Sequence, residues 1–514
     1  MSAESEVSNW KYSHFLKNEK DNFSKNDILN VLSKHEIDEA YNTISRWDNY
    51  SPTPLISLNK LSKKLKLNKI YYKDESKRFH LKSFKALGGA FAVSKIASSK
   101  KKIIVSTATA GNHGRSVAWG AKRLGLKCKI FISQNVSESR AKAMRKFGAK
   151  VIRVKGNYDT SLRECIKQSK KNNWEIVQDV SWKNYEYVTQ LIMAGYCVMV
   201  KEIFSQIKSK SFTHIFLQAG VGGMAAAVVA GFAKYFKKIP KIIIVEPDKA
   251  ESVLKSIKKK KPVKFKIKNE SIMGGMSCGE VSKVAWDILK FSVNYCVSIS
   301  DSMVKPVIFS LANKDFSNKK IEGGECATPG IIALKSICSN KKIRKKIGLN
   351  NKSNVLIFGC EGATDKKMYG KIVKNTGNVI SDLVRGPASF DSLGRAIQSG
   401  ATALGDGLGG MADSFQVLGT KLPMVGSGIK MLGAAAGAAA MAVAAYAQNL
   451  MDGFVALSQS GANYNADIVR TASQINALGL TMNSFTQIVQ QNAKTFSAFG
   501  GSVSLGTRRF VQLA

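Results

Sequence analysis

From Ile70 to about Cys360 the chain alternates short runs rich in β-branched residues with stretches of helical periodicity. This alternation restricts it to an α/β architecture with a mostly parallel sheet, because each such strand needs a crossover before the next can pair with it. The runs KIIVSTA (102–108), KIFIS (129–133), KVIRV (150–154), HIFLQAG (214–220), KIIIVEP (241–247) and NVLIFGCEG (354–362) read as buried strands that end in Gly or small polar residues. Ligands of open α/β sheets gather beyond the carboxyl ends of strands, so the residues closing these runs are the first candidates for chemistry.

The alternation stops near Lys374, and composition breaks at the same place. Of 78 Lys and Arg, 70 fall in residues 1–374 together with 30 of the 36 acids, a net charge of +40 there. The last 140 residues are nearly neutral, hold 19 of the 42 glycines and none of the 8 cysteines. A chain of 514 residues exceeds what one core organises, and the break predicts two unrelated segments: 1–374, with a small domain at about 86–190 inserted in a larger one, and a Gly/Ala-rich, mostly helical or partly disordered appendage at 375–514. Within the appendage 21 uncharged residues separate Lys430 from Asp452, enough to cross a bilayer, although Ala dominates them. A packed helical hairpin or an assembly contact is the alternative.

The positive charge does not imply a nucleic-acid partner. It is almost all Lys, 61 against 9 Arg in 1–374, and it is scattered rather than arranged in the Arg forks and aromatic platforms that phosphates and bases recruit. The cysteines show no CxxC pair and no His at ligand spacing, so neither a metal site nor a disulfide framework is expected. The N-terminal MSAESEVSNWKYSHF has no apolar run of signal-peptide length. A reducing, cytoplasmic setting is the expectation.

Three constellations carry chemistry. In YYKDESKRFHLKSFKALGGAFAV (71–93) a strand enters a Ser-Phe-Lys turn before a helix of small residues, and Lys85 is the candidate nucleophile. An amine attacks an aldehyde only when uncharged, and a dry cleft near other positive charge is expected to lower its pKa toward that state. In STATAGNHGRSVAWGAKRLG (106–125) a strand ends in a Gly-Asn-His turn that opens a helix, where Thr109, Ala110, Gly111 and Asn112 offer backbone amides and a side-chain amide to an anion. His113 there is structural or catalytic. In LQAGVGGMAAAV (217–228) the turn Gly220, Val221, Gly222, Gly223 and Met224 lets several N–H groups converge on a phosphate.

In this order and spacing the three resemble the fold-type II pyridoxal-phosphate enzymes, the family of tryptophan synthase β-chain and the serine and threonine dehydratases. KDESKRF, SFKALGG, GNHGRSVAW, SIMGGMSCGE (271–280) and CEGATD (360–365) are similar to diaminopropionate ammonia-lyase in particular, over about residues 40–374. The resemblance implies a two-domain, three-layer αβα fold with mostly parallel sheets, pyridoxal 5'-phosphate on Lys85, and a homodimer. It implies that Asn112 bonds the ring hydroxyl, that residues 220–224 cradle the phosphate, and that Cys360 faces the pyridine nitrogen; a buried structural cysteine is the other reading of Cys360. It also implies that Asp179, in VQDVSWKNY (177–185), lies near the small amino-acid substrate and meets its second amine. Two positions depart from the pattern. Ala110 stands where relatives have an Asp taken to be the base for the D-isomer, which leaves Lys85 as the base and favours L-substrates, and His80 replaces a usual Gly.

The reaction implied is elimination of ammonia from 2,3-diaminopropionate, giving pyruvate and a second ammonia. Two alternatives stay open. One is serine or threonine dehydration, which needs the same lysine and loop. The other is a structural or virion-associated fusion protein with a vestigial cofactor fold, because 419–454 vaguely resembles phage tail tape-measure or virion proteins.

Overall fold

In the computed structural model the described residues are 11–374, apart from 20–21, 101–102, 110, 209–210 and 367, together with Gln487. Two compact units divide the chain, Met1–Tyr369 and Gly370–Ala514. The helical, membrane-spanning and virion readings of the appendage lie outside the described residues.

The first unit contains two sheets. The larger is built from β1 (His14–Lys17), β2 (Leu55–Ser57), β3 (Lys69–Asp74), β8 (His214–Gln218), β9 (Lys241–Pro247), β10 (Val293–Ile299) and β11 (Asn354–Gly359), in the order β1-β10-β9-β8-β11-β3-β2. The smaller is built from β4 (Ile104–Ala108), β5 (Lys127–Ser133), β6 (Lys150–Val154) and β7 (Glu175–Ile176), in the order β6-β5-β4-β7. All pairings are parallel except β1 with β10 and β2 with β3 at the edges. Parallel strands need both faces covered. Accordingly every residue of β8 and all but the first of β9 are buried.

The helix Lys85–Ser99 is held between two others by close backbone approach. A Cβ at Gly88 would sit 2.4 Å from the Ile192 carbonyl oxygen in the helix Tyr187–Tyr196, and one at Gly120 would sit 2.7 Å from the Ala90 Cα. Its position is therefore set by contacts that any larger side chain would push apart. With Val198–Gln206, the helix Tyr187–Tyr196 also forms the 20-residue stretch Tyr187–Gln206, whose mean hydropathy of 1.2 would suit a bilayer. Its most apolar window is 72% buried inside the fold, which makes it core.

Candidate active site

The chain reaches Lys85 over a buried charge cluster. Arg78, 1% exposed, donates to Glu75 through Nε at 2.8 Å and Nη2 at 2.9 Å, and to Glu202 of the helix Val198–Gln206 through Nη1 at 2.7 Å and Nη2 at 2.8 Å. Lys73, at the end of β3, adds a bond of 2.7 Å to Glu202. Two cations meet two carboxylates, so the cluster is neutral as a whole. Burial pulls the Lys73 amine below its ordinary value with Glu202 opposing, and it also works against the Glu202 carboxylate, where Arg78 and then Lys73 win and hold it well below the usual range. Past this clamp Phe79, His80 and Lys82 take φ of +44°, +59° and +58°. That is the region glycine favours, so His80 sits in a strained conformation. The Ser-Phe-Lys turn is then laid on the end of β11: Ser83 bridges to Glu361, and the Phe84 N–H donates to the Cys360 carbonyl at 3.0 Å.

Lys85 opens its helix and points its amine at Asp179, with which it forms a hydrogen-bonded ion pair. The low amine pKa expected from a dry cleft is corrected here. Burial does act against the charge, but the Asp179 carboxylate outweighs it and lifts Lys85 above the ordinary lysine range. For Asp179 burial favours the neutral acid, yet His113 and Lys85 hold the group down to about 2. His113 donates from Nε2 to the Val177 carbonyl at 2.8 Å, while its Nδ1 stands 3.8 Å from Asp179 with no hydrogen-bond partner among the described residues. Burial lowers the imidazole pKa, so the ring is neutral and Nδ1 carries a lone pair.

Two tyrosines near Asp179, Tyr158 and Tyr196, were not foreseen. Gln178 accepts from the Ala108 N–H at 3.0 Å through Oε1, which fixes its amide, and donates from Nε2 to the Tyr158 hydroxyl oxygen at 2.8 Å. Tyr158 therefore keeps its own proton for another acceptor. Tyr196 lines the same cavity with a buried hydroxyl that has no hydrogen-bond partner among the described residues. Neither has a distinctive signal in sequence, since an aromatic at a helix end looks like core.

The remaining candidates converge on one cavity of about 250 Å³ between the carboxyl ends of the two sheets, lined by Lys85, Thr109, Gly111, Asn112, Asp179, Gly220–Met224 and Cys360 among others. Ala110 lies outside the described residues. Thr109 Oγ1 accepts from the N–H groups of Gly111 at 3.0 Å and Gly114 at 3.2 Å, so its hydroxyl shapes the turn. Asn112 gives its side-chain amide to Glu361 at 2.6 Å, and the Cys360 thiol donates to the Cys326 carbonyl at 3.1 Å. Burial, then Glu361, raises the Cys360 pKa and keeps the thiol neutral. Glu325, on the same wall, is pushed up to about 7 by burial and by Glu361.

The glycine turn fits a phosphate. Gly222 has φ +88°, no side chain caps the helix Gly223–Tyr235, and a Cβ at Gly220 would come 2.9 Å from the Gly275 carbonyl oxygen and 3.1 Å from Cys278 Sγ. A Cβ at Gly223 would meet nothing nearer than 3.9 Å. Amides of an uncapped first turn, open to the cavity and at the positive end of a helix, bind an anion. With a lysine amine in the same cavity and orphaned polar atoms on His113 and Gln218, the residues fit an aldehyde that carries a phosphate.

A comparison with protein families agrees: residues 46–327 match the family described as "Pyridoxal-phosphate dependent enzyme". The chain belongs to that family. Within it, diaminopropionate ammonia-lyase of Escherichia coli K12 is 33% identical over 348 residues, covering 63% of this chain and 87% of the relative. The Salmonella typhimurium LT2 protein of that name is 32% identical over 380 residues, 68% of this chain and 93% of the relative. A crystal structure of the Escherichia coli lyase in complex with an aminoacrylate-PLP azomethine reaction intermediate superposes with TM-score 0.66 at 31% identity, covering 71% of this chain and 98% of that one.

Proposed function

We propose that the chain eliminates ammonia from 2,3-diaminopropionate, and that the L-isomer is preferred. The substrate and one water give pyruvate and two molecules of ammonia. The observation that carries this reading is the pairing of Lys85 with Asp179 in a cavity that also holds the glycine cradle.

When bound, pyridoxal phosphate withdraws electrons from the substrate Cα and weakens its C–H bond. The chain supplies the rest. Lys85 would hold the cofactor through its amine, and the amine, once free, takes the α-proton. The N–H groups at Gly220–Met224 would bind the phosphate. Cys360, kept neutral by burial, is suited to an unprotonated ring nitrogen. Asp179, ionised at any working pH, binds the side-chain ammonium and holds the nitrogen that leaves. Lys85 is the base that lines the cavity, and Ala110 offers no carboxylate at its position to act on the D-isomer.

The test is the visible absorbance of the purified protein, followed by pyruvate release from L- and D-2,3-diaminopropionate, L-serine and L-threonine. The expected result is bound cofactor and release mainly from L-diaminopropionate, both lost in Lys85→Ala. Bound cofactor with release only from serine or threonine would replace this reading by a dehydratase.

A further inference from the structure

Glu361 follows Cys360 beyond the end of β11 and is 8% exposed. Its backbone is pinned against the turn that carries Lys85. The Phe84 N–H donates to the Cys360 carbonyl at 3.0 Å, the Gly362 N–H to the Lys82 carbonyl at 2.8 Å, and the Gly324 N–H to the Glu361 carbonyl at 3.0 Å. The side chain lies against Gly324, where an added Cβ would come 3.1 Å from its Cγ and 3.2 Å from its Oε1. Held in this way, its two oxygens serve two different donors. Oε1 accepts from the Cys326 N–H at 3.0 Å, and Oε2 accepts from Asn112 Nδ2 at 2.6 Å. Asn112 opens the helix Asn112–Arg123 after β4, so the second bond ties the carboxyl end of the larger sheet to that of the smaller one, and both residues line the cavity.

The same bond fixes which way the Asn112 amide faces. Asn112 Oδ1 accepts from Arg115 Nη1 at the long distance of 3.4 Å, and an arginine can only donate. With an acceptor on one side and a donor on the other, the amide has one satisfied orientation. Its nitrogen carries two hydrogens, of which Glu361 takes one. We propose that Glu361 is a positioning residue, which turns the Asn112 amide so that its second N–H donates to the ring hydroxyl oxygen of pyridoxal phosphate. A carboxylate can do this because it accepts on both oxygens. Glutamine at position 361 has one acceptor, and the Cys326 backbone N–H, which can only donate, claims it. The glutamine Nε2 then faces Asn112, draws Oδ1 round to meet it, and Asn112 Nδ2 is carried to the Arg115 side, away from the ring oxygen. The inference rests on the cofactor that the site fits and on Asn112 as its ring-hydroxyl donor, and it is independent of which amino acid is the substrate.

The test compares pyridoxal 5'-phosphate with 3-deoxypyridoxal 5'-phosphate, which lacks the ring hydroxyl, in absorbance titrations of the full-length cofactor-free protein. Glu361→Gln should raise the Kd of the first roughly tenfold to a hundredfold, the span of a hydrogen bond to an ionised oxygen. The Kd of the second should stay within about threefold. Asn112→Ala should show the same pair of factors, and adding Glu361→Gln to it should cost nothing further. Glu361→Ala frees the amide instead of turning it, so its Kd for pyridoxal phosphate should lie between wild type and Glu361→Gln although it is the larger deletion, with the deoxy analogue again spared. Equal weakening of both ligands, no weakening of either, additive losses in the double variant, or Ala worse than Gln would each overturn the assignment of Glu361 while leaving the lyase reading intact. Wild-type protein that binds neither ligand would overturn both.

Discussion

Glu202→Gln probes the charge cluster on which the Lys85 turn rests. The wild-type carboxylate accepts from Arg78 twice, from Lys73, from Tyr50 at 2.9 Å and from the Thr53 N–H at 3.2 Å, in a setting with almost no solvent. An amide keeps the shape but leaves Arg78 and Lys73 facing Glu75 alone, a buried net charge of one. Breaking a buried pair in this way costs about 3–5 kcal/mol. At roughly 2 °C per kcal/mol for a unit of this size, Tm should fall by about 6–10 °C. The pH dependence is more diagnostic than the size. Burial already lowers the Lys73 pKa, and without Glu202 it falls further. The folded variant then sheds a proton that the unfolded chain keeps up to about pH 10. Where the unfolded state binds more protons, stability rises with pH. The deficit against wild type should therefore shrink between pH 7 and pH 9.5 in urea unfolding followed by far-UV circular dichroism. A deficit under about 1 kcal/mol at pH 7, well below the range for a broken buried pair, would refute the ionised cluster, and so would a deficit that grows with pH.

His80→Gly should stabilise the fold by about 0.5–1 kcal/mol: relief of a left-handed residue is worth about 1–2 kcal/mol, less the extra freedom of the unfolded chain. A lower urea midpoint would refute it. Gly222→Ala puts a side chain at φ +88° with its Cβ 2.9 Å from Leu289 Cδ1, and should cost about 1–3 kcal/mol while weakening pyridoxal-phosphate binding, read by absorbance titration. Glu325 is raised to about 7 in the folded chain, so its contribution to stability is fully present below the ordinary Glu value and is lost as pH rises through about 7. Glu325→Gln should flatten the stability-pH curve of the cofactor-free protein across that window and leave it the more stable of the two at pH 8, measured by Tm.

The strands 150–154 and 241–247 were legible to the residue, because their branched runs end where pairing ends. Elsewhere the apolar pattern outlasts the pairing. The run 214–220 stops as a strand at Gln218, and 354–362 stops at Gly359, since Ala219–Gly220 and Cys360–Gly362 turn away to line the site. β1, β2 and β7, of 4, 3 and 2 residues, are too short to show any period. In the site, Lys85 and the glycine loop were readable because each is a local string with a chemical reason. The sign of the Lys85 pKa was not readable. It is fixed by a contact 94 residues away in sequence, and burial with a carboxylate gives the opposite result to burial alone.

That contact gives the site its logic. Asp179 is buried enough that its charge needs a cation beside it, and the ammonium of Lys85 meets the need when the amine is free. With the amine engaged by a cofactor, its nitrogen would be bonded to carbon and would no longer offer Asp179 a free ammonium, and a neutral His113 whose Nε2 is committed to Val177 is a poor replacement. The cavity would then hold a buried carboxylate short of a cation, a state that protein interiors tolerate poorly. A substrate with a second ammonium relieves it, whereas one with a hydroxyl leaves the charge in place. Preference for a diamine thus follows from the same electrostatics that hold Lys85 in its cofactor-free position, and an amine lying on Asp179 is held as the ammonium, which departs as neutral ammonia when its bond to carbon breaks.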